Sequence, residues 1–470
     1  MLSRSHSAGA AGFSKSSTPT DNLFADVPLK RQPTWTQKTQ SSKHEMSINI
    51  CARLKPLLSA EEKETVTGDS LRIVDLNDSV RDGVFRVGTA SEDGTIKISQ
   101  KIPGYQGVIL PDSDQAAAYT QVVPKLLYTF LNGNNCTLFV YGQTGSGKTH
   151  TLFGPPCCFT SGALSCGPAI VPESWGMFPR CAFDLLSVLR ADGPSAVLNV
   201  SVVEIYLNIC YDLLNEKKVV PVAGFGKGCK STSQSLESFM NVNRRKGGKW
   251  ICPFKDGKWN TEGLGMDRGY EASGQRVEQI RSMDDILRIA ATIDASRSAK
   301  SHNLNERSSR SHCVITLTVG GSGQGQQQLS SAKFLLVDLA GSERQSKTNA
   351  TGERLKEAKS INISLSALGN VISALSQGEK FVPYRDNLLT RLLQDGLGGN
   401  AKTLMFVNIS PADYNADETA SSLTYAARVK LITNDASKQQ ESAEIQRLKK
   451  IIAQLKKGTD PDALSEEDPD

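Results

Sequence analysis

The chain has 470 residues, 39% of them hydrophobic and 22% charged, with a net charge of +5. Length and composition fit one large soluble α/β domain with polar ends. No apolar run reaches the roughly 18 residues of a membrane span, and a charge this mild gives no argument for nucleic acid.

The ten cysteines include no CxxC pair. Cys51, Cys136 and Cys313 sit in apolar runs and read as core packing, while Cys157, Cys158 and Cys166 lack a fourth zinc ligand nearby. The pattern is that of a reducing compartment. Residues 1 to about 45 are rich in Ser, Thr and Lys and read as a disordered tail rather than a transit peptide.

The folded part is expected to open at SINICARLKP (Ser47 to Pro56), read as an alternating strand. Further strands are predicted at TLFVYG (Thr137 to Gly142), Val197 to Tyr206, His312 to Val319, AKFLLVDLAG and KTLMFVNIS (Lys402 to Ser410). Helical periodicity marks AAAYTQVVPKLLYTFL, SMDDILRIAATIDASR and LKEAKSINISLSALGNVISALS. Strands alternating with helices indicate an α/β fold around a central, mostly parallel or mixed sheet flanked by helices.

Two stretches break the rhythm: a Gly/Pro-rich loop, Pro155 to Pro168, and a Gly/Lys-rich insertion from about 215 to 268. Beyond Asn434 the chain turns polar. Ile445, Leu448, Ile452 and Leu455 then place an apolar stripe on a basic helix, too short for a coiled coil by itself, before an acidic end, SEEDPD.

The strongest chemical signal is GQTGSGKT (Gly142 to Thr149), a full GxxxxGK[ST] phosphate-binding loop that follows a strand and opens a helix. Its glycines let backbone N–H groups turn inward around a phosphate, and the helix start adds partial positive charge. Gln143, Thr144, Gly145, Ser146, Gly147 and the following His150 are therefore read as nucleotide contacts. Lys148 is expected to reach the β- and γ-phosphates, and Thr149 to bind Mg²⁺. VDLAGSE (Val337 to Glu343) ends an apolar strand in Asp-x-x-Gly. Asp338 is thus a carboxylate near Mg²⁺ and Gly341 a backbone amide that senses the γ-phosphate. NERSSRSH (Asn305 to His312) clusters hydroxyls and an arginine before a strand, which suits phosphate and Mg²⁺ contacts.

Together GQTGSGKTHT, NxxSSRSH and DLAGSE resemble the kinesin motor family. The likeness continues in RLKEAKSINISLSALGNVISAL and VPYRDNLLTRLLQDGLGGN and covers roughly residues 47 to 434. The resemblance implies a P-loop NTPase fold for residues 46–434, with 435–470 as neck linker, short neck helix and tail. It implies that Arg53 and Pro56 lie beside the adenine and that Tyr119 stacks on the base. Ser308 and Ser309 would contact the γ-phosphate and Mg²⁺. Arg310 and Glu343 would form the ion pair that closes around the hydrolytic water, and the helix around Ser360 to Leu375 would dock on tubulin.

The chain departs from the family's pattern at Leu388, where a lysine is usual, at Ser296 in place of an asparagine, and at YQGVI (Tyr105 to Ile109) in place of FDxVF. Lys217, Lys218, Lys227, Lys230, Arg244, Arg245, Lys246 and Lys249 make the insertion basic and able to meet an acidic tubulin surface, or simply to be solvated.

The implied function is a microtubule-stimulated ATPase motor of the cytoplasm and cytoskeleton, using ATP and Mg²⁺, with no guanine-type NKxD signature. The alternative is a non-walking ATP-dependent microtubule binder or polymer-end regulator. Direction of travel, cargo, and a homodimer through a longer C-terminal coiled coil stay open at this stage.

Overall fold

The computed structural model describes residues 45–57, 72–74, 76–90, 96–156, 158–159, 171–191, 196–224, 270–272, 274–298, 307–321, 332–343 and 353–435, all within one unit of the chain, Lys43–Asp470. The expected N-terminal tail, the stripe at Ile445 to Leu455, the acidic end, and Lys227, Lys230, Arg244, Arg245, Lys246 and Lys249 lie outside the described residues. So do Cys157, Cys166 and the rest of residues 160–168 of the expected loop Pro155 to Pro168.

In chain order the first elements are β1 (Glu45–Ser47), β2 (Asn49–Leu54), β3 (Arg72–Val74), α1 (Leu76–Asp82), β4 (Val84–Ala90), β5 (Ile96–Pro103), β6 (Gly107–Ile109), α2 (Gln115–Leu131), β7 (Cys136–Tyr141), α3 (Lys148–Leu152) and α4 (Met177–Ala191). There follow β8 (Ala196–Tyr206), β9 (Ile209–Asp212), β10 (Lys218–Val219), β11 (Val222–Gly224), β12 (Tyr270–Ala272), β13 (Glu278–Ile280) and α5 (Met283–Ser298). The last are β14 (His312–Gly321), β15 (Lys333–Asp338), α6 (Glu353–Ser376), α7 (Leu388–Leu392), β16 (Lys402–Ile409), α8 (Ala416–Val429) and β17 (Thr433–Asp435).

Ten of the described strands form one sheet in the order β10-β9-β8-β14-β15-β7-β16-β2-β6, with β13 added to β8. Pairing is parallel from β15 through β7, β16 and β2 to β6, and antiparallel on the β8 side. The sheet is therefore mixed, as expected. Its centre is apolar on both faces because successive side chains point to opposite sides. Leu138, Leu336 and Phe406 pack with Leu126 and Phe130 of α2, Leu185 of α4 and Ile289 of α5. Their neighbours Phe139, Val337 and Met405 pack with Leu368 and Ile372 of α6 and Leu423 and Val429 of α8.

This explains one correction. The first strand was read as alternating, yet Ile50 to Leu54 are all buried. β2 lies between β16 and β6, so its polar-looking positions are also covered, and Arg53 is buried among partners. Two features were not anticipated. One is the small antiparallel sheet β3-β4-β5. The other is α4, whose buried Phe178, Cys181, Ala182, Leu185 and Leu189 give it a helical apolar face. YQGVI supplies the edge strand β6 despite its departure from the family's pattern, and Tyr105 packs edge-on against Phe85 with centroids 4.8 Å apart.

Only the first part of the expected insertion, about 215 to 268, falls among the described residues. Residues 215–224 belong to ordered turns and strands, and β11 pairs with β12 so that Val222 faces Ala272. Buried Asp212 ties the two flanks together, accepting from the Leu214 amide at 3.0 Å and the Arg276 amide at 2.6 Å. No helix among the described residues is long and apolar enough to cross a membrane.

Candidate nucleotide site

The site forms where the parallel strands β7 and β15 end side by side. At the end of β7 the chain must turn sharply beneath its neighbours. Gly142 adopts φ 147°, and a Cβ there would come within 2.1 Å of the Asn408 carbonyl oxygen, so only glycine fits. Gly145 and Gly147 also have positive φ, 77° and 96°. The loop then feeds α3, whose first residue is Lys148.

Lys148 is buried, and its ammonium donates to the carbonyls of Gly142 (2.9 Å) and Gln143 (2.8 Å), with one N–H still to spend. Burial pushes its pKa below the usual lysine value, and the nearby carboxylates of Asp338 and Glu343 work against that shift. One turn on, the Thr149 hydroxyl donates to Asp338 Oδ2 at 2.7 Å. Arg297, projecting from α5, reaches the same oxygen at 2.6 Å in a pair that is 4% and 0% exposed. Burial acts against the Arg297 charge, but the Asp338 carboxylate outweighs it and raises the pKa.

Three segments converge on this point through backbone bonds. The Gly341 amide donates to the Ser309 carbonyl at 2.9 Å, and the Ser342 amide to the Gly142 carbonyl at 3.1 Å. His312, at the start of β14, accepts from the Ala340 amide through Nδ1 at 3.0 Å. Its Nε2 lies 2.8 Å from Ser364 Oγ of α6. Burial, with Arg297 and Lys148 nearby, lowers its pKa to about 3, so the ring is neutral. Nδ1 is therefore the acceptor and Nε2–H the donor.

The expected Arg310–Glu343 ion pair is not formed. Glu343 instead accepts from Thr144, at 2.7 Å from its amide and 2.6 Å from its hydroxyl. Thr144 faces Gly341 across the loop and offers two donors, whereas Arg310 lines a cavity of about 360 Å³ with Ile205, His312, Ser364 and Asn387. Ser309 enters through its carbonyl. Ser308 lies in the 3₁₀ turn Arg307–Arg310, and its side chain is outside the described residues.

On the far side of α3, Arg53 Nη1 donates to Gln115 Oε1 (2.7 Å) and Thr151 Oγ1 (3.1 Å), while Gln115 Nε2 donates to the His150 carbonyl at 2.6 Å. Pro56 and His150 are exposed beside this cluster. Tyr119 is not available to stack on a base. It is 3% exposed inside the core, and its hydroxyl donates to Asp184 Oδ2 at 2.5 Å. The α2 register that buries Ala118 and Val123 turns Tyr119 inward as well.

The arrangement fits a polyphosphate with a divalent cation. Ser146 Oγ and Asp338 Oδ1 are buried without a hydrogen-bond partner, and a Cβ at Gly145 would meet nothing within 4 Å. Thr149 and Asp338 would hold the cation, while the loop amides and Lys148 would hold the phosphates. Sequence reasoning missed Arg297, His312, Gln115 and Asn408 as parts of this site. Asn408 Nδ2 donates to Thr151 Oγ1 at 2.7 Å. These residues lie on separate elements; His312 closes the NERSSRSH motif but was given no role there, and no local pattern marks the other three.

The family model described as kinesin motor domain matches residues 53–432. The chain belongs to the kinesin motor-domain family. It is 35% identical over 367 residues to the kinesin-like protein Klp68D of Drosophila pseudoobscura pseudoobscura, covering 76% of this chain and 39% of that protein. It is 36% identical over 409 residues to the kinesin-like protein KIN-14R of Arabidopsis thaliana, covering 86% of this chain and 32% of that one. The chain thus spans well under half of the kinesin relatives it matches. Among solved structures it is similar to a fast kinesin, with TM-score 0.59 and 28% identity over 83% of this chain and 93% of the other. It is also similar to a KIF14 dimer in complex with a microtubule, with TM-score 0.60 and 27% identity over 83% and 96%. At Leu388, where the sequence departs from the family's pattern, the side chain is partly buried against the core that holds Leu368 of α6 and Leu423 of α8.

Proposed function

We propose that this kinesin-family chain hydrolyses ATP and couples the nucleotide to its grip on microtubules, as a motor of the cytoplasmic cytoskeleton. The observation that carries the reading is the junction of three loops by the Gly341–Ser309 and Ser342–Gly142 backbone bonds, at the loop whose Gly142 carbonyl also accepts from Lys148 and whose Thr149 donates to Asp338. A group bound at the loop would therefore act on segments that are already tied to one another.

In this reading Lys148 and the loop amides bind the β- and γ-phosphates, Thr149, Ser309 and Asp338 hold Mg²⁺, and Ser308, Arg310, Gly341 and Glu343 act at the γ-phosphate. Bound Mg²⁺ would neutralise charge on the β- and γ-oxygens. Arg297 fixes the Asp338 carboxylate so that its second oxygen stays aimed into the site. Arg53, Pro56 and His150 flank the adenine side.

Two contacts carry a change outward. The Ala340–His312–Ser364 chain ties the loop after β15 to α6. Tyr141, the residue before Gly142, stacks on Tyr425 of α8 with centroids 4.4 Å apart and rings 6° from parallel. Rearrangement at the phosphate loop thus reaches both helices of one face, and α8 leads into β17.

The test is the ATPase rate with and without polymerised tubulin across a salt series. Stimulation that fades with salt supports the reading. Hydrolysis that polymerised tubulin leaves unchanged would remove the microtubule from it.

A further inference from the structure

We propose that Thr144 is a positioning residue for Glu343: it holds the Glu343 carboxylate on the phosphate-binding loop, and a γ-phosphate displaces it. The proposal rests on the nucleotide-binding reading above.

The contact is two-pronged, from the Thr144 amide at 2.7 Å and the Thr144 hydroxyl at 2.6 Å. Gly341 closes it from the side. A Cβ at that position would lie 2.2 Å from Thr144 Oγ1 and 2.3 Å from Glu343 Oε2, so the carboxylate is packed between the two loops. The segment bearing Glu343 is pinned at Gly341 to Ser309, the residue before Arg310.

A carboxylate oxygen on a phosphate-loop amide is an anionic acceptor in the place of another anionic acceptor. A γ-phosphate oxygen would compete for the same amide, and its charge would repel the carboxylate. Once displaced, the carboxylate has the Arg310 guanidinium on the neighbouring anchored segment as its partner. Thr144 and Arg310 are thus alternative partners of one carboxylate, and the γ-phosphate selects between them. A diphosphate, lacking that group, does not have to break the Thr144 contact.

The linkage gives a test that does not need turnover. Breaking the contact costs binding of the triphosphate and not of the diphosphate, so weakening it raises the triphosphate-to-diphosphate affinity ratio. Thr144→Val removes the hydroxyl and keeps shape and amide, and Thr144→Ser restores the donor. Equilibrium binding of fluorescent ADP and of a non-hydrolysable ATP analogue to the full chain, with Mg²⁺, measures the ratio.

Thr144→Val is expected to raise the ratio about five- to tenfold, the scale of one hydrogen bond to a charged group partly exposed to water. Thr144→Ser should keep the original ratio. In a Glu343→Gln background Thr144→Val should change the ratio much less than it does in the unaltered chain, because the carboxylate it would release is already gone. An unchanged or lowered ratio in Thr144→Val, or additive effects with Glu343→Gln, overturns the proposal while leaving nucleotide binding intact. Failure of the unaltered chain to bind either nucleotide overturns the underlying reading and this contact's role with it.

Discussion

Arg297 Nη1 lies 2.6 Å from Asp338 Oδ2, on the same carboxylate oxygen that receives the Thr149 hydroxyl. Both charges are almost fully buried, so neither can be relaxed by water. Removing one leaves the other stranded, which costs about 3–5 kcal/mol. Arg297→Ala is therefore expected to lower the denaturant midpoint by that equivalent. Arg297→Lys should recover only part of it, because a point charge does not reproduce the planar guanidinium. Chemical denaturation of the two variants beside the unaltered chain checks this.

Gly142 supports the loop by its lack of a side chain. With φ at 147° and a hypothetical Cβ 2.1 Å from the Asn408 carbonyl, Gly142→Ala strains both the loop and β16. A loss of about 3 kcal/mol is expected from backbone strain and overpacking together. Gly145→Ala has positive φ but open space, and should cost less. Thermal melts of the pair would reverse the argument if Gly145→Ala proved the worse.

Lys148 and Thr149 separate two kinds of dependence. Lys148→Ala is expected to abolish measurable nucleotide binding, since the loop loses its one buried ammonium. Thr149→Ala should still bind nucleotide, yet respond little to chelation of Mg²⁺, whereas the unaltered chain should release nucleotide faster when Mg²⁺ is removed. Dissociation of fluorescent ADP with and without chelator distinguishes the variants. A chelator response in Thr149→Ala equal to that of the unaltered chain would remove Thr149 from the cation site.

His312 predicts a pH dependence. Its pKa falls from 6.5 to about 3 because the ring is buried, with Arg297 and Lys148 adding to the effect. The unfolded chain then binds a proton below pH 6.5 that the folded chain refuses. Its contribution to stability is complete above pH 6.5 and is lost as pH falls toward 3, at up to about 1.4 kcal/mol per pH unit. His312→Asn should lower stability at neutral pH and flatten this slope. Equal slopes for both proteins between pH 6.5 and 4.5 would show that the ring is not kept neutral by the fold.

The phosphate loop, the Asp338–Gly341 turn and the strands behind them were legible in the chain. Their chemistry is local: glycines where φ must be positive, apolar runs where both sheet faces are covered, and Lys148-Thr149 at a helix start. The family's motifs carried the reading further, to Ser309, Arg310 and Glu343. What the sequence could not decide were partners across elements. Tyr119 matched an aromatic position and is nonetheless core, because the packing of α2 on α4 decides which side of the helix is dry. Arg297 looked like the end of a helix and proved to be the counter-charge of Asp338. Glu343 was matched to Arg310 and is held by Thr144. Each of those outcomes depends on which groups the sheet order brings within hydrogen-bonding distance, about 3 Å, and no local pattern in the sequence carries that distance.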